Sequence, residues 1–134
     1  MLIGCFQATL GLYTYHSLSE AARKATRYAM VRGSTSCTNT PGLSNCNATV
    51  AQIKAYVLSL GFPGMSSSKI TITPTWCAAN SGTPATWSAC SSSSPNDPGN
   101  LVKVVAVYNF PLNVPFLPKR TIALSSTSQM VISQ

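Results

Sequence analysis

Residues 18–29 read Leu-Ser-Glu-Ala-Ala-Arg-Lys-Ala-Thr-Arg-Tyr-Ala, and the spacing of their apolar and charged side chains decides the first element of the fold. The apolar residues that recur with the spacing of one helical face are Leu18, Ala22, Ala25 and Ala29. Charged residues fill the opposite face, where Glu20 precedes Lys24 by four residues in the order that favours an ion pair. The stretch therefore predicts an amphipathic helix with a stripe of small apolar residues.

The same helix is expected to extend in both directions, because residues 1–19 carry no charge and Gly33 is the first residue suited to end it. A helix of about 30 residues is roughly 45 Å long, which is too long to bury in a protein of 14.1 kDa. Its apolar start is slightly shorter than the about 20 residues of a bilayer span. We expect this part to project into a membrane or a partner assembly, and Cys5 within it to be a buried free thiol. The apolar residues expected to make the contact are Leu2, Ile3, Phe6, Leu10 and Leu12.

A second helix is predicted after the polar residues 34–46. Asn47 is a suitable N-cap, and Gly61 is a suitable end. The apolar residues with helical spacing between them are Val50, Ile53, Val57 and Leu60. Asn47-Ala48-Thr49 also matches an N-glycosylation sequon, but capping is the stronger interpretation because three-residue matches are common by chance.

The rest of the chain has the alternation of β-strands. Leu101–Phe110 is the strongest strand and is apolar on both faces, so it should be central or covered. Weaker strands are predicted at Lys69–Thr73, which Pro74 ends or places at a sheet edge, and at Thr121–Ser133. The predicted loops are residues 75–100 and 111–118.

Together these elements predict an α+β fold. Its parts are a long N-terminal helix and a second helix, packed on an antiparallel sheet of three or more strands. The predicted organisation is a membrane or filament helix at residues 1–33, followed by an extracytoplasmic α+β domain at residues 34–134.

Four of the five cysteines bracket two polar loops, and no pair has the Cys-x-x-Cys spacing of zinc or thioredoxin-type sites. Four cysteines allow three pairings, of which we prefer the two local ones, Cys37–Cys46 and Cys77–Cys90. Each closed loop stabilises the fold by roughly 3 kcal/mol on the chain-entropy model. Disulfides indicate an oxidising, extracytoplasmic compartment.

The titratable residues argue against an enzyme and against a bound metal or cofactor. Glu20 and Asp97 are the only acids, which excludes a paired-carboxylate site, and one histidine disfavours a multi-histidine zinc site. No Gly-x-Ser-x-Gly motif is present. Cys5 and His16 are eleven residues apart, about three helical turns, so they form no Cys-His pair.

The net charge of +7 raises the question of a nucleic-acid partner. Four basic residues cluster within ten positions, at Arg23, Lys24, Arg27 and Arg32. The other five are scattered, and no nucleic-acid-binding motif accompanies them. The cluster is therefore interpreted as a solvated helix face or a basic segment at a membrane surface, and nucleic acid is not expected as a partner.

Residues 19–33 also carry a family resemblance. They contain Ala-Ala-Arg, then Arg-Tyr-Ala four residues on, then Gly33, and so resemble the A-A-R-x-x-x-R-Y-A-x-x-x-G segment of TadE-like proteins. Pro98–Phe110 is similar to the family's central strand. Pro115–Pro118 with Thr121–Met130 is similar to its closing strand. The similarity covers most of the chain and is weakest over residues 34–97.

TadE-like proteins are pseudopilins of bacterial tight-adherence (Flp-type) pilus systems. The resemblance implies a non-enzymatic minor pilin or pilus-assembly subunit, anchored through residues 1–18 in the inner membrane, with a periplasmic or extracellular C-terminal domain. The implied partners are other pilin or pseudopilin subunits and the assembly machinery. Arg23 and Arg27 would then contact a partner's acids or lipid phosphates.

Two features depart from the family pattern. Gly4 is followed by Cys-Phe-Gln-Ala-Thr without the acid of the family's peptidase site, so the chain is expected to begin inside the usual helix. The basic cluster follows the apolar segment, which by the positive-inside rule alone places the C-terminal domain in the cytoplasm. The cysteines indicate the opposite side, and we give them more weight.

A second hypothesis is a secreted or surface binding module. Trp76, Trp87 and the loop closed by the second cysteine pair would then form a ligand surface, since aromatic residues are enriched at such sites. The alternative role for both tryptophans is packing beneath a long loop.

Overall fold

The computed structural model describes residues 1–133 and has an α+β fold, as the sequence predicts. Its helices are α1 (Leu2–Met30), the single turn α2 (Ser36–Asn39) and α3 (Val50–Ser59). A 3₁₀ turn at Ser67–Lys69 leads into the sheet. The strands are β1 (Ile70–Asn80), β2 (Thr86–Ser91), β3 (Leu101–Leu112) and β4 (Arg120–Val131).

Over residues 1–133 the strands form one antiparallel sheet in the order β2-β1-β3-β4. β3 pairs with β4 along its whole length and with β1 from Leu101 to Tyr108, so the predicted central position of this strand is confirmed. It also continues through Pro111 to Leu112, two residues beyond the predicted end. Alternate residues of β3 are buried, which places one sheet face against the helices.

One hydrophobic core joins α1, α3 and the inner face of the sheet. The predicted helix stripe of Leu18, Ala22, Ala25 and Ala29 is buried, with exposures of 0 to 1%. It shares the core with Val104 and with the other inner side chains of β3. Side chains from both sides of the predicted boundary at residue 33 therefore contribute to the same core.

α1 ends at Met30, before the predicted end at Gly33, and Gly33 is not its left-handed terminal residue. The last turn tightens, because the Arg32 amide donates to the Ala29 carbonyl at 3.2 Å. The Arg32 carbonyl then accepts from the Ala48 amide at 2.9 Å. This bond fixes the start of the segment that leads to α3.

α3 begins at Val50 rather than near Asn47. Thr49 is its N-cap and forms a reciprocal capping box with Gln52. Asn47 instead has a positive φ of 58° and donates its backbone N–H to Ser36 Oγ. The predicted end is confirmed, because Gly61 follows the C-cap with a φ of +60°, which glycine adopts without steric cost.

The largest error of the sequence prediction lies in residues 75–100, which were expected to be a loop. β1 continues past Pro74 to Asn80, and β2 pairs with its end. Because β2 covers only residues 76–80 of β1, Pro74 has a strand neighbour on one side only, which is the edge environment that proline tolerates. The register of β2 shifts at Ala89, whose φ is 52°.

Candidate functional site

The N-terminal part of α1 extends beyond the core. Thr14 is the first buried residue of the helix, and residues 1–13 are exposed or half-buried. All five predicted contact residues are exposed, with fractions from 37% for Leu10 to 87% for Leu2. Within residues 1–133 we find no helix long and apolar enough to cross a bilayer.

Most of the exposed apolar side chains lie on one side of this segment. At 3.6 residues per turn, they fall within an arc of about 100°. We call this set the apolar stripe, and it consists of Leu2, Ile3, Phe6, Leu10 and Tyr13. Leu12 is as exposed as Phe6, at 59% against 63%, but it lies outside the arc. The structure thus separates Leu12 from the other four predicted contact residues.

Two threonines interrupt the apolar sequence, but their hydroxyl groups are bonded within the helix. Thr9 Oγ1 donates to the Cys5 carbonyl at 2.9 Å, and Thr14 Oγ1 donates to the Leu10 carbonyl at 2.8 Å. Such bonds leave each hydroxyl satisfied without water or a partner. This part of α1 is therefore better suited to an apolar environment than its composition suggests.

The basic cluster divides into two structural groups. Arg23, Lys24 and Arg27 are exposed. Glu20 pairs with Arg23 at 3.8 Å rather than with Lys24, and both partners are more than half exposed. An ion pair of this kind contributes little to stability. These three residues form an exposed basic face next to the apolar segment.

Arg32 does not belong to that face. Its guanidinium lies 3.9 Å from the centre of the Tyr28 ring, and its Nε donates to the Ser44 carbonyl at 3.2 Å. Tyr28 in turn stacks on Tyr56 of α3, with ring centres 4.2 Å apart. Asn45 Nδ2 donates to the Tyr28 hydroxyl at 3.3 Å. Arg32 therefore packs on α1 and bonds to the segment that precedes α3 instead of presenting a free charge, which its position in the sequence did not reveal.

Both predicted disulfides are present. Cys37–Cys46 closes the segment between α1 and α3, and Cys77–Cys90 joins β1 to β2 beside the register shift at Ala89. Cys5 is a free cysteine, but it is exposed, so the prediction of a buried thiol is wrong. It lies on the projecting part of α1, where no other element covers it.

The two tryptophans lie on opposite faces of the sheet. Trp76 is on the inner face with Val102, and it is 4% exposed. Trp87 is opposite Ala79, an odd-numbered residue of β1 and therefore on the outer face. Its Nε1 donates to the Gly99 carbonyl at 3.1 Å. The structure therefore does not bring Trp76 and Trp87 together into one ligand surface.

The structure places His16 and Glu20 on α1, and Asp97 in the loop between β2 and β3. Within residues 1–133 no group of three or more His, Cys, Asp and Glu side chains is placed to hold a metal ion. His16 is exposed on α1 and makes an edge-on contact with Tyr15, with ring centres 6.4 Å apart. The two acids lie apart along the fold, since Glu20 is on α1 and Asp97 bonds to Ser34.

Comparison with known proteins gives no relative: no family model matches the chain, and neither a curated protein nor a solved structure is significantly similar to it. The geometry above is therefore the basis for inferring function.

Proposed function

We propose that this chain is a non-enzymatic minor pilin or pilus-assembly subunit of a tight-adherence type system. It acts by packing the apolar stripe against apolar helices of other pilin-like subunits at the bacterial inner membrane. Its C-terminal domain is held in the periplasm or outside the cell. The TadE-like resemblance of residues 19–33 and 98–130 supports this assignment.

The observation that carries the proposal is the exposure of the stripe. Phe6 and Leu2 are 63% and 87% exposed on a helix whose other half is buried in the core. Contiguous apolar residues that are exposed on a protein surface mark interaction sites. A helical stripe of this kind fits into a groove between helices or into a bilayer. Its burial there is favourable by about 25 cal/mol per Å² of apolar surface.

The two disulfides support the proposed location. Disulfides persist in the periplasm and outside the cell and are rare in the bacterial cytoplasm. Arg23 and Arg27 are exposed just beyond the apolar segment, where they can contact phosphates of lipid headgroups or acids of a partner.

The alternative proposal, a secreted or surface binding module that uses Trp76 and Trp87 together, has weaker support. The two rings lie on opposite faces of the sheet, and Trp87 already donates its indole hydrogen to Gly99. No contact between the rings joins them into a shared surface.

The proposal is tested by deleting the gene in the native host and complementing it in trans. Surface pili are counted by electron microscopy for the wild-type gene, a Phe6→Lys variant and a Leu12→Lys variant. The two replaced residues are almost equally exposed but lie on different sides of α1. Immunoblotting checks that the variants accumulate equally.

We expect deletion to abolish pili, and wild type and Leu12→Lys to restore them. Phe6→Lys should fail to restore them, because a lysine in the stripe opposes its burial. Unchanged pili after deletion would contradict a role in pilus assembly. Full rescue by Phe6→Lys would contradict the role of the stripe.

A further inference from the structure

A second feature of the molecule lies at the opposite end of α1 from the apolar stripe. It is a hollow of about 600 Å³ between the start of α3, Trp76 of β1 and the loop that joins β2 to β3. We call it the Trp76 hollow. The lining residues used below are Ser34, Val50, Ala51, Trp76 and Asp97. We propose that this hollow binds the C-terminal carboxylate of a peptide chain, and the inference does not depend on the proposed pilus role.

Trp76 supplies the first observation. Its side chain is 96% buried, it lines the hollow, and its indole Nε1 hydrogen has no acceptor. A buried donor without an acceptor is costly, and such groups are rare in native proteins. Trp87 shows the usual outcome, since its Nε1 donates to the Gly99 carbonyl. Trp76 therefore places an unused hydrogen-bond donor in the wall of the hollow.

The start of α3 supplies an independent set of donors. The Thr49 side chain accepts from the Gln52 amide, which satisfies the third amide of the helix. Val50 and Ala51 are the first two helical residues, and their amides have no acceptor inside the helix. Both line the hollow. The partial positive charge of a helix N-terminus adds to the attraction for an anion.

Asp97 limits the chemical class of ligand that the hollow can bind. It is exposed in the lining of the hollow, and its Oδ1 accepts from Ser34 Oγ at 2.6 Å. This negative charge disfavours binding of a simple anion such as phosphate. A peptide C-terminus carries its own amide N–H next to the carboxylate, so it offers a donor to Asp97 and two acceptors to Trp76 and α3. Capture of terminal carboxylates by backbone amides is a known mode of peptide recognition.

The test uses the ¹⁵N-labelled full chain and three probes at constant pH and ionic strength. N-acetylglycine mimics a peptide C-terminus, N-acetylglycinamide lacks the carboxylate, and inorganic phosphate is an anion without the amide. We expect N-acetylglycine alone to shift the indole signal of Trp76 and the amide signals of Val50 and Ala51. A dissociation constant on the order of millimolar is expected, since the probe has few non-hydrogen atoms.

Matched variants test whether the Trp76 indole and the first amides of α3 bind the carboxylate. Trp76→Phe keeps the ring in the core but removes the donor, and should weaken N-acetylglycine binding about tenfold or more. Trp87→Phe is the control and should leave binding unchanged. Val50→Pro removes one amide at a helix position that tolerates proline, and should weaken binding several-fold even if Trp76→Phe misfolds.

Three results would overturn the proposal. No shift at an N-acetylglycine concentration of about 100 mM would mean that the hollow does not bind the carboxylate, given the affinity expected for so small a probe. Equal shifts with phosphate or with N-acetylglycinamide would contradict recognition of a peptide C-terminus. Wild-type affinity in both Trp76→Phe and Val50→Pro would show that binding occurs elsewhere.

Discussion

Small side chains determine how α1 packs on the sheet. Ala21, Ala22 and Ala25 have no exposed surface, and Leu18 is the one large apolar side chain of α1 that is equally buried. Protein interiors are close-packed, so an alanine at such a position leaves little room for a larger residue. The helix position relative to the core therefore depends on these residues remaining small.

Replacing Ala25 by leucine is expected to lower the free energy of unfolding by about 1–3 kcal/mol, because extra methylene groups force neighbouring atoms apart. Lys24→Leu is the control: Lys24 is the adjacent residue but is exposed, so its change should stay within about 0.5 kcal/mol. Urea denaturation followed by circular dichroism measures both. Equal stability of the two variants would show that the core accommodates a larger side chain at position 25.

Arg32 provides a second prediction for a single residue. Arg32→Lys loses the planar stack on Tyr28 and the Nε bond to Ser44, and should cost about 1 kcal/mol of stability. Arg27→Lys should cost close to nothing, since Arg27 is exposed. The same denaturation assay compares them. A larger loss for Arg27→Lys would contradict the structural role given to Arg32.

Individual elements differ in how well the sequence predicted them. The helical spacing of residues 18–29 and the alternation of Leu101–Phe110 predicted α1 and β3, because each pattern reports burial along a single segment. The end of β1 and the whole of β2 were missed. Their residues, 74–80 and 86–91, have no regular apolar alternation, and their strand character comes from pairing across the sheet and from a disulfide.

The sequence likewise predicted some features of the candidate site and missed others. Sequence alone predicted that the part of the helix with Leu2 and Phe6 projects from the domain, because a helix that long cannot be covered by a small domain. It failed to separate Arg32 from Arg27, since the Tyr28–Tyr56 stack depends on the approach of α3. It also grouped Trp76 with Trp87, because the strand pairing that places them on opposite faces of the sheet was not predicted.

The exposed N-terminal part of α1 leads to a prediction that can be tested in vitro. A Phe6→Ser variant of the full chain should associate less with itself and with detergent micelles than wild type, because it loses apolar area from the stripe. Its thermal unfolding should not change, since Phe6 is 63% exposed and outside the core cluster. Sedimentation velocity with and without detergent measures the association.

Leu12→Ser is the matched control for this experiment. Leu12 has nearly the exposure of Phe6 but lies outside the stripe, so its replacement should leave association closer to wild type. If both variants reduced association equally, general hydrophobicity of the segment would explain it, and the stripe would have no special role.

At the scale of the whole molecule, two disulfides stabilise the segments that connect the core elements. Cys37–Cys46 and Cys77–Cys90 span sequence separations of 9 and 13 residues. Both closed segments are rich in polar residues and bury few side chains. The hydrophobic core thus holds α1, α3, β1 and β3 together, while covalent bonds hold the parts that the core does not reach.

Removing Cys77–Cys90 by a double alanine substitution should lower the free energy of unfolding by about 2–4 kcal/mol, because the unfolded chain gains conformational freedom. The same change at Cys37–Cys46 should have a similar effect. Cys5→Ser is the control and should have little effect, since Cys5 is exposed and free. Guanidinium denaturation of the oxidised proteins measures all three, and an unchanged midpoint in either double variant would contradict this assignment.

The continuity of α1 also has a mechanical consequence. α1 is unbroken from Leu2 to Met30, so tension applied at its N-terminal end passes along a single rod into the packed half. That load acts as shear on the buried side chains of residues 14–29 together, instead of peeling them away one turn at a time. Beyond the last turn, the Arg32–Ala48 hydrogen bond and the Cys37–Cys46 bond tie the rod to the rest of the domain. We therefore expect a chain built this way to resist being pulled out by its helix more strongly than burial of the helix alone would provide.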